Sequence, residues 1–119
     1  MAEHNDLGQW GEEIAAAYLQ QKGYTIVERD WKSGHRDVDI IALNEKGDTL
    51  VFVEVKTRRN TIFTDPIDAV NYQKIRNLQR AANHYIKYHR IDLEIRFDII
   101  TIVGTPVMEP DISHIEDAF

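Results

Sequence analysis

Two short segments decide the fold of this chain: Asp37-Val-Asp-Ile-Ile-Ala-Leu43 and Leu50-Val-Phe-Val-Glu-Val-Lys56. Each is almost wholly apolar, which is typical of a strand that is buried on both faces. The residues between them, Asn44-Glu-Lys-Gly-Asp48, form a polar turn with a glycine, so we expect a hairpin that is symmetric about Lys46-Gly47. That symmetry fixes which residues of the two strands face each other.

Ionisable residues interrupt these apolar strands at alternate positions. The predicted register places Asp39 opposite Glu54, and strand alternation puts Lys56 on the same face as Glu54. Opposed residues have Cβ atoms about 5 Å apart, so the two carboxylates are close enough to share one divalent cation. The alternative is a structural role in which Lys56 pairs with one of the acids, because an unpaired buried charge is costly.

The metal interpretation predicts a hydrolase site. Asp39 and Glu54 offer the hard oxygen ligands that Mg²⁺ prefers, and water and a substrate phosphate would complete its coordination. A bound metal polarises a phosphate and lowers the pKa of an attacking water. Lys56 would orient that water or offset charge in the transition state.

The remaining sequence predicts an α-β-β-β-α-β order in a single α/β domain over residues 1–119. A first helix is expected from Asn5 or Asp6 to about Lys22, followed by a strand over residues 24–29 and a loop over residues 32–36. A second helix is expected to begin with Asp65 as N-cap and Pro66 at its first position.

The second helix is expected to end near Tyr88, and a strand over residues 95–103 follows it. A strand, a helix and a strand in this order favour a right-handed parallel crossover and hence a mixed sheet covered by helices. From Gly104 onward we expect a tail that packs through Ile112, Ile115 and Phe119.

Composition narrows the class of protein. A chain of 119 residues is long enough for one buried core. It has no cysteine, which excludes disulfides and thiolate metal sites and is typical of a reducing cytoplasm. The longest apolar run, Ile14–Leu19, is too short to span a membrane, and the N-terminus does not resemble a signal peptide. We therefore expect a cytoplasmic protein that does not bind membranes.

Charge is distributed unevenly. The net charge is −6, yet the stretch from Lys56 to Arg90 holds eight basic and two acidic residues. Such a stretch either presents a basic surface to nucleic acid or is a solvated helix face. Arg76, Arg80 and Lys87 share the polar face of the second helix, and for them the solvated interpretation is favoured over a DNA groove.

Two residues near the hairpin are ambiguous from pattern alone. Asp37 lies on the same face as Asp39 and opposite Lys56, so it is either a partner of the lysine or a strand-end charge. Lys74 falls inside the apolar stripe of the second helix. It therefore either reaches past the helix edge to solvent or, as we favour, points at the acids on the sheet.

Other polar residues lie at the same edge of the predicted sheet. Arg58, Arg59 and Asn60 follow Lys56 closely and are candidate phosphate contacts for nucleic acid. His35 lies in the loop before Asp37 and is either a substrate contact or an inert loop histidine. Glu12 flanks the apolar stripe of the first helix, and its pattern alone indicates a solvent-exposed charge.

The sequence resembles a known family along nearly its whole length. Phe52-Val-Glu-Val-Lys-Thr-Arg58 is the most specific match. The remaining matches are Gly8-Gln-Trp-Gly11-Glu12, Ala15, Tyr18-Leu19, Gly23-Tyr24, Asp39, Ala69-Val70, Lys74, Arg96-Phe-Asp98 and Ala118-Phe119. These residues resemble the PD-(D/E)XK nuclease superfamily and, within it, the YraN-like bacterial proteins of unassigned function.

The resemblance implies a restriction-endonuclease-like core and a reaction. Related archaeal Holliday-junction resolvases imply Mg²⁺- or Mn²⁺-dependent hydrolysis of phosphodiester bonds in DNA, including branched or damaged DNA. By position, Asp39 and Glu54 would be metal ligands, the Val55 carbonyl a further ligand, and Lys56 the catalytic lysine. The resemblance also assigns Glu12 a supporting role at the metal.

The chain departs from the family pattern just before Asp39. The usual Gly-Glu-Ile/Val-Asp is here Arg36-Asp37-Val38-Asp39. Aspartate is shorter than glutamate, which limits any direct reach of residue 37 to a metal, and Arg36 adds charge and bulk at the rim of the site.

Three functions are compatible with the sequence. The first is a metal-dependent DNA endonuclease, which would need a homodimer to cut both strands of a junction symmetrically. The second is a nucleic-acid-binding module that retains the nuclease fold without physiological cleavage. The third is a protein-interaction domain that uses the acidic C-terminal segment and the second helix.

Overall fold

Two helices cover a central sheet in a computed structural model that describes residues 3–34, 36–60 and 71–119. The elements in chain order are α1 (Glu3–Gln21), β1 (Thr25–Ser33), β2 (Arg36–Leu43), β3 (Thr49–Arg58), α2 (Tyr72–His89), β4 (Glu94–Val103) and β5 (Asp111–Ile115). The described residues thus form an α/β domain that contains the predicted α-β-β-β-α-β order. Within these ranges neither helix is long and apolar enough to cross a membrane.

The strands follow one another across the sheet in the order β1-β2-β3-β4-β5. Neighbours are antiparallel except for β3 and β4, which are parallel and have α2 in the connection between them. This arrangement confirms the predicted parallel pairing. The hairpin register is also confirmed, since Leu43 pairs with Leu50 and Ile40 with Val53.

Each face of the sheet has its own apolar core. The side chains of Val51, Val53 and Val55 pack with the helix α1 residues Ala15 and Leu19. On the other face Phe52 and Ile41 pack with Leu78 and Tyr85 of α2. Odd-numbered residues of β3 therefore face α1 and even-numbered ones face α2, which places Glu54 and Lys56 on the α2 side.

Three element boundaries differ from the sequence predictions. Helix α1 already includes Glu3, so Asn5 and Asp6 lie inside it rather than capping it. Strand β1 continues to Ser33 instead of ending at residue 29, because its second half pairs with β2, as in the pair Trp31 and Val38. The predicted loop over residues 32–36 is correspondingly shorter.

The second helix and the C-terminal segment also differ. The predicted helix start at Asp65 and Pro66 lies outside the described residues, and α2 as described begins at Tyr72. Asn71 is its N-cap and accepts a hydrogen bond from the Lys74 N–H at 3.0 Å. The predicted tail contains strand β5, in which Ile115 is 38% exposed rather than packed, while Ile112 and Phe119 contact the cores as expected.

Candidate functional site

The β1–β2 ribbon changes its orientation at Asp39. Ile40 packs in the core beneath α1, whereas Val38, two residues earlier, packs in the core beneath α2. Residues two apart in a regular strand lie on one face, so the alternation breaks at Asp39. Across from it on β1, between two paired residues, Asp30 has a φ of 52°. This twist puts Asp39 at the boundary between the two faces of the sheet.

The Asp39 carboxylate continues the β2–β3 ladder where backbone pairing stops. The paired residues end at Ile40 and Val53, and Asp39 Oδ2 accepts a hydrogen bond from the Val55 N–H at 2.8 Å. In a strand, the N–H and C=O of one residue point toward the same neighbour. The Val55 carbonyl therefore also points toward β2, on the strand edge where the Asp39 carboxylate binds the Val55 N–H.

Glu54 and Lys56 lie on β3 with side chains that are largely shielded from solvent. Their side chains are only 15% and 14% exposed, and the Lys56 Nζ lies 3.9 Å from the Glu54 Oε1. Lys74, in the first turn of α2, is close enough to perturb the pKa of both residues. Its own position is exposed, so Lys74 reaches the site from the helix edge rather than from the buried stripe predicted for it.

Glu12 approaches Asp39 from the other side of the sheet. It is partly buried, and the charge of Asp39 raises its pKa. Residues of α1 and the end of β3 enclose a cleft of about 560 Å³ next to it. The lining residues are Leu7, Gly8, Glu12, Val55, Lys56, Thr57, Arg58 and Arg59.

The close approach of α1 depends on Gly11. A Cβ atom at this position would lie 2.8 Å from the Thr57 Cγ2 and 2.9 Å from the Thr57 Cβ, which is inside van der Waals contact. Only glycine permits this distance between α1 and β3. The contact therefore determines how close Glu12, the next residue, comes to the end of β3.

The three carboxyl groups share one electrostatic signature. Burial raises the pKa of Glu54 to about 7, and the charge of Asp39 adds to the effect. Burial raises the pKa of Asp39 to about 6, although the hydrogen bond from Val55 acts to lower it. Burial also raises the pKa of Glu12 to about 7, again with a contribution from Asp39. Each carboxyl group lies where nearby positive charges and hydrogen bonds do not fully offset the cost of burying its negative charge. Such positions are typical of a functional site.

The lysine of the site is shifted in the opposite direction. Burial lowers the pKa of Lys56, and the neighbouring Lys74 lowers it further, while Glu54 acts against both. A lysine with a lowered pKa exchanges its proton closer to neutral pH, as a proton-transfer residue requires. The site thus combines carboxyl groups that retain protons with an ammonium group that releases one more easily.

The donor set fits a hard divalent cation only in part. Asp39, Glu54 and the Val55 carbonyl supply oxygen ligands, and Mg²⁺ normally keeps several waters in addition to one or two carboxylates. Among the described residues, however, no group of three or more histidine or acidic side chains converges on one point. The chemistry of the donor set is thus that of a metal bound by two carboxylates, a carbonyl and water.

Comparison with known proteins places this chain in a family. The model of "Uncharacterised protein family UPF0102" matches residues 11–102. A UPF0102 protein of Bacteroides thetaiotaomicron is 50% identical over 119 residues, which cover 100% of this chain and 96% of the relative. The chain belongs to the UPF0102 family. A relative from Flavobacterium psychrophilum is 48% identical, over 100% of this chain and 98% of the relative. A relative from Porphyromonas gingivalis is 43% identical, over 100% of this chain and 87% of the relative.

In this UPF0102 protein the other predicted contacts lie around the rim of the site. Asp37 is 54% exposed and forms an ion pair of 3.9 Å with Lys32. The Arg58 Nη1 donates a hydrogen bond to the Thr57 carbonyl at 2.9 Å, and Arg58 and Arg59 both line the larger cleft. Asn60 is exposed just beyond β3. His35 lies outside the described residues.

The sequence interpretation placed Arg36 at the rim of the site but missed Asn77. Both residues line a smaller pocket of about 170 Å³ together with Glu54 and Lys74. Asn77 follows Lys74 by three residues, which places it on the same side of α2. The helical wheel could have identified Asn77, whereas the position of Arg36 depends on how β2 docks against α2.

Proposed function

We propose that this protein is a metal-dependent endonuclease of the PD-(D/E)XK superfamily that hydrolyses phosphodiester bonds in DNA. The observation that supports the proposal most strongly is the position of Asp39. Its carboxylate lies at the end of the β2–β3 ladder, between Glu12 on one side and the Glu54–Lys56 pair on the other. Clustered carboxyl groups with raised pKa values beside a buried lysine suit phosphoryl chemistry.

Asp39, Glu54 and the Val55 carbonyl are the residues that would hold Mg²⁺ or Mn²⁺. When bound, such a cation polarises the scissile phosphate and lowers the pKa of an attacking water. Glu12 would bind a water of this assembly from the α1 side. Asp39 is fixed by its hydrogen bond from Val55, so its free oxygen lone pairs are held in place before any ligand arrives.

Lys56 would handle the proton and the charge of the reaction. Its lowered pKa makes the neutral amine, the form that accepts a proton from the attacking water, more accessible than in a free lysine. The resulting ammonium then offsets negative charge on the phosphate in the transition state. Arg58, Arg59 and Asn60 at the rim would hold neighbouring phosphates of the strand, with Asp37 and Lys74 supporting the charges around Lys56.

The proposal is tested by cleavage assays with Mg²⁺ and Mn²⁺ on linear, flapped and four-way DNA and on RNA. We expect metal-dependent cleavage that is lost in Asp39→Ala and Lys56→Ala but retained in Glu45→Gln, a change in the exposed hairpin turn. Symmetric cutting of two strands in four-way DNA would require a homodimer. Neither metal binding nor cleavage by the wild-type protein would refute the enzyme proposal.

A second candidate is a nucleic-acid-binding module that does not cleave. It is favoured by the lack of a convergent group of three acidic or histidine side chains among the described residues. This candidate predicts salt-dependent binding of duplex or junction DNA that Glu54→Ala leaves intact, with no cleavage in any metal. A protein-interaction domain, by contrast, predicts no affinity for nucleic acid.

A further inference from the structure

A separate small pocket lies between β2 and α2, next to the candidate active site but on its α2 side. Its volume is about 170 Å³, which is large enough for a phosphate group. It is lined by Arg36, Asp37, Glu54, Lys74, Asn77 and Leu78. The pocket shares Asp37, Glu54 and Lys74 with the proposed active site, whereas Arg36 and Asn77 have no role in the chemistry proposed above.

The Nε atom of Arg36 is the strongest indication that this pocket binds a ligand. This atom is buried and has no hydrogen-bond partner among the described residues. Buried polar groups almost always have partners, and leaving one unsatisfied is costly, more so when it is charged. An Nε–H group that has no acceptor among the described residues leaves a position at the pocket wall where a ligand can supply one.

The other lining groups define the charge of that ligand. Arg36, Lys74 and Asn77 all line the pocket with N–H donors, and Lys74 is exposed to solvent. Of the two acids, Asp37 is engaged by Lys32 and Glu54 by Lys56. The described first turn of α2 contains no acidic residue. The pocket is therefore rich in donors for an anion, and its guanidinium fork matches phosphate geometry.

We propose that this pocket binds a phosphate group of the nucleic-acid backbone adjacent to the scissile one. The identity of the ligand as a backbone phosphate rests on the proposed nuclease function. Arg36 and Lys74 grip the phosphate from β2 and α2, and Asn77 donates a further hydrogen bond. Because both charged residues lie beside Glu54, a strand held here passes directly over the active site.

The first test uses inorganic phosphate and the full chain in EDTA, so that no metal takes part. Two-dimensional ¹H–¹⁵N NMR follows the Arg36 Nε–H and the Asn77 side-chain amide. We expect both signals to shift saturably with phosphate and not with chloride at the same ionic strength. Lys74→Gln should weaken the phosphate affinity by about tenfold, as expected for one charge-assisted hydrogen bond.

The control variant is Lys46→Gln, which removes a lysine from the exposed turn of the hairpin and should leave phosphate affinity unchanged. Because Arg36→Gln also changes a partly buried side chain, the exposed Lys74 serves as an independent probe of the pocket. The proposal is overturned if phosphate shifts neither Arg36 nor Asn77, or if chloride produces the same shifts.

The second test measures DNA binding as a function of salt. Removing one phosphate contact by Arg36→Gln or Lys74→Gln should weaken binding to every sequence and lower the slope of log K against log salt by about 0.9. Unchanged slopes would show that DNA does not use the pocket. If the wild-type protein binds phosphate here but never cleaves DNA, the nuclease proposal fails while the phosphate site stands. If it cleaves DNA but does not bind phosphate here, the phosphate site fails while the nuclease proposal stands.

Discussion

Asp98 is a fully buried charge on β4, and four donors surround it. Arg96 donates two hydrogen bonds of 2.8 Å to the carboxylate, the His114 Nε2–H donates one of 2.7 Å, and the Asp117 N–H donates one of 3.1 Å. Burial alone would raise the pKa of Asp98, but the bonds from His114 and Arg96 hold it below its usual range. The network joins β4, β5 and the C-terminal segment far from the candidate active site in sequence.

Asp98→Ala is expected to destabilise the protein by about 3–5 kcal/mol, because it leaves Arg96 and His114 without their buried acceptor. Urea unfolding monitored by circular dichroism measures the loss. Asp111→Ala, at an exposed position on β5, should change stability by less than about 0.5 kcal/mol. Similar effects of the two changes would show that the network contributes little.

The same network predicts an acid limit of stability. Since the pKa of Asp98 is lowered in the folded state, its contribution is present above the unfolded-state pKa of about 4 and disappears as the pH falls below it. We expect the wild-type protein to lose stability in this range, and Asp98→Asn to show a flatter dependence. Unfolding free energies between about pH 2.5 and 5 test the difference.

Glu54→Gln is expected to stabilise the metal-free protein at about pH 8 and to change its stability much less at about pH 5. Burial raises the pKa of Glu54 from 4.5 to about 7, so the folded state retains a proton that the unfolded chain releases. Stability from this group therefore falls as the pH rises through that interval. A neutral glutamine removes this penalty, a gain of about 1–3 kcal/mol at the higher pH.

Urea unfolding in EDTA at both pH values measures this effect, with Glu45→Gln in the exposed turn as the control. A loss of stability in Glu54→Gln at the higher pH would mean that the Lys56 contact outweighs the burial of the charge. That result would favour the structural role of Glu54 over the metal-binding one.

At the scale of elements, the contact between α1 and β3 is expected to tolerate no side chain at Gly11. Gly11→Ala forces its Cβ into Thr57 and should destabilise the protein by about 1–3 kcal/mol. Gly8→Ala in the same helix is the matched control, because nothing lies within 4 Å of its Cβ. That change should stabilise the helix by about 0.5–1 kcal/mol, and thermal unfolding compares the two directly.

If Gly11→Ala proves as harmless as Gly8→Ala, the helix can move away from β3 at little cost. The contact would then not fix the position of Glu12. A partial recovery of stability in the double change Gly11→Ala with Thr57→Ala, which removes the Cγ2 atom, would instead localise the clash to this pair.

Helix α2 has as its C-cap Arg90, a residue whose side chain makes its left-handed backbone conformation unfavourable. Arg90 has a φ of 54°, in the left-handed region, and its N–H caps the Ile86 and Lys87 carbonyls. Arg90→Gly should therefore stabilise the protein by about 0.5–1 kcal/mol. Arg80→Gly, inside the same helix, should cost about 1 kcal/mol. Thermal or urea unfolding distinguishes these signs, and a loss in Arg90→Gly would contradict the capping role.

The sequence predicted some helices and strands more accurately than others. The β2–β3 register followed from a symmetric polar turn between two apolar runs, which is local information. Strand β5 was missed because its five residues, Asp111–Ile115, alternate between exposed and partly buried positions on an edge and depend on pairing with β4. The extra length of β1 was likewise hidden, because polar residues such as Asp30 and Lys32 occur in its second half.

At the scale of the whole molecule, the residues that the β2–β3 pair brings together were predictable from sequence. The contacts between the sheet and the two helices were not. Asp39, Glu54 and Lys56 follow from register alone. The approach of Glu12 depends on the packing of α1 through Gly11. The position of Arg36, whose Nε has no partner among the described residues, depends on how β2 lies against α2. Such contacts join residues far apart in sequence, and periodicity carries no information about them.

The most direct test of the nuclease proposal is the single-turnover rate of four-way DNA cleavage as a function of Mn²⁺ concentration. We predict a saturable, metal-dependent rate for the wild-type protein and for Glu45→Gln. Asp39→Asn should lower that rate by at least about a hundredfold while the protein remains folded. Metal-independent cleavage, or equal rates in the wild-type protein and Asp39→Asn, would contradict the proposal.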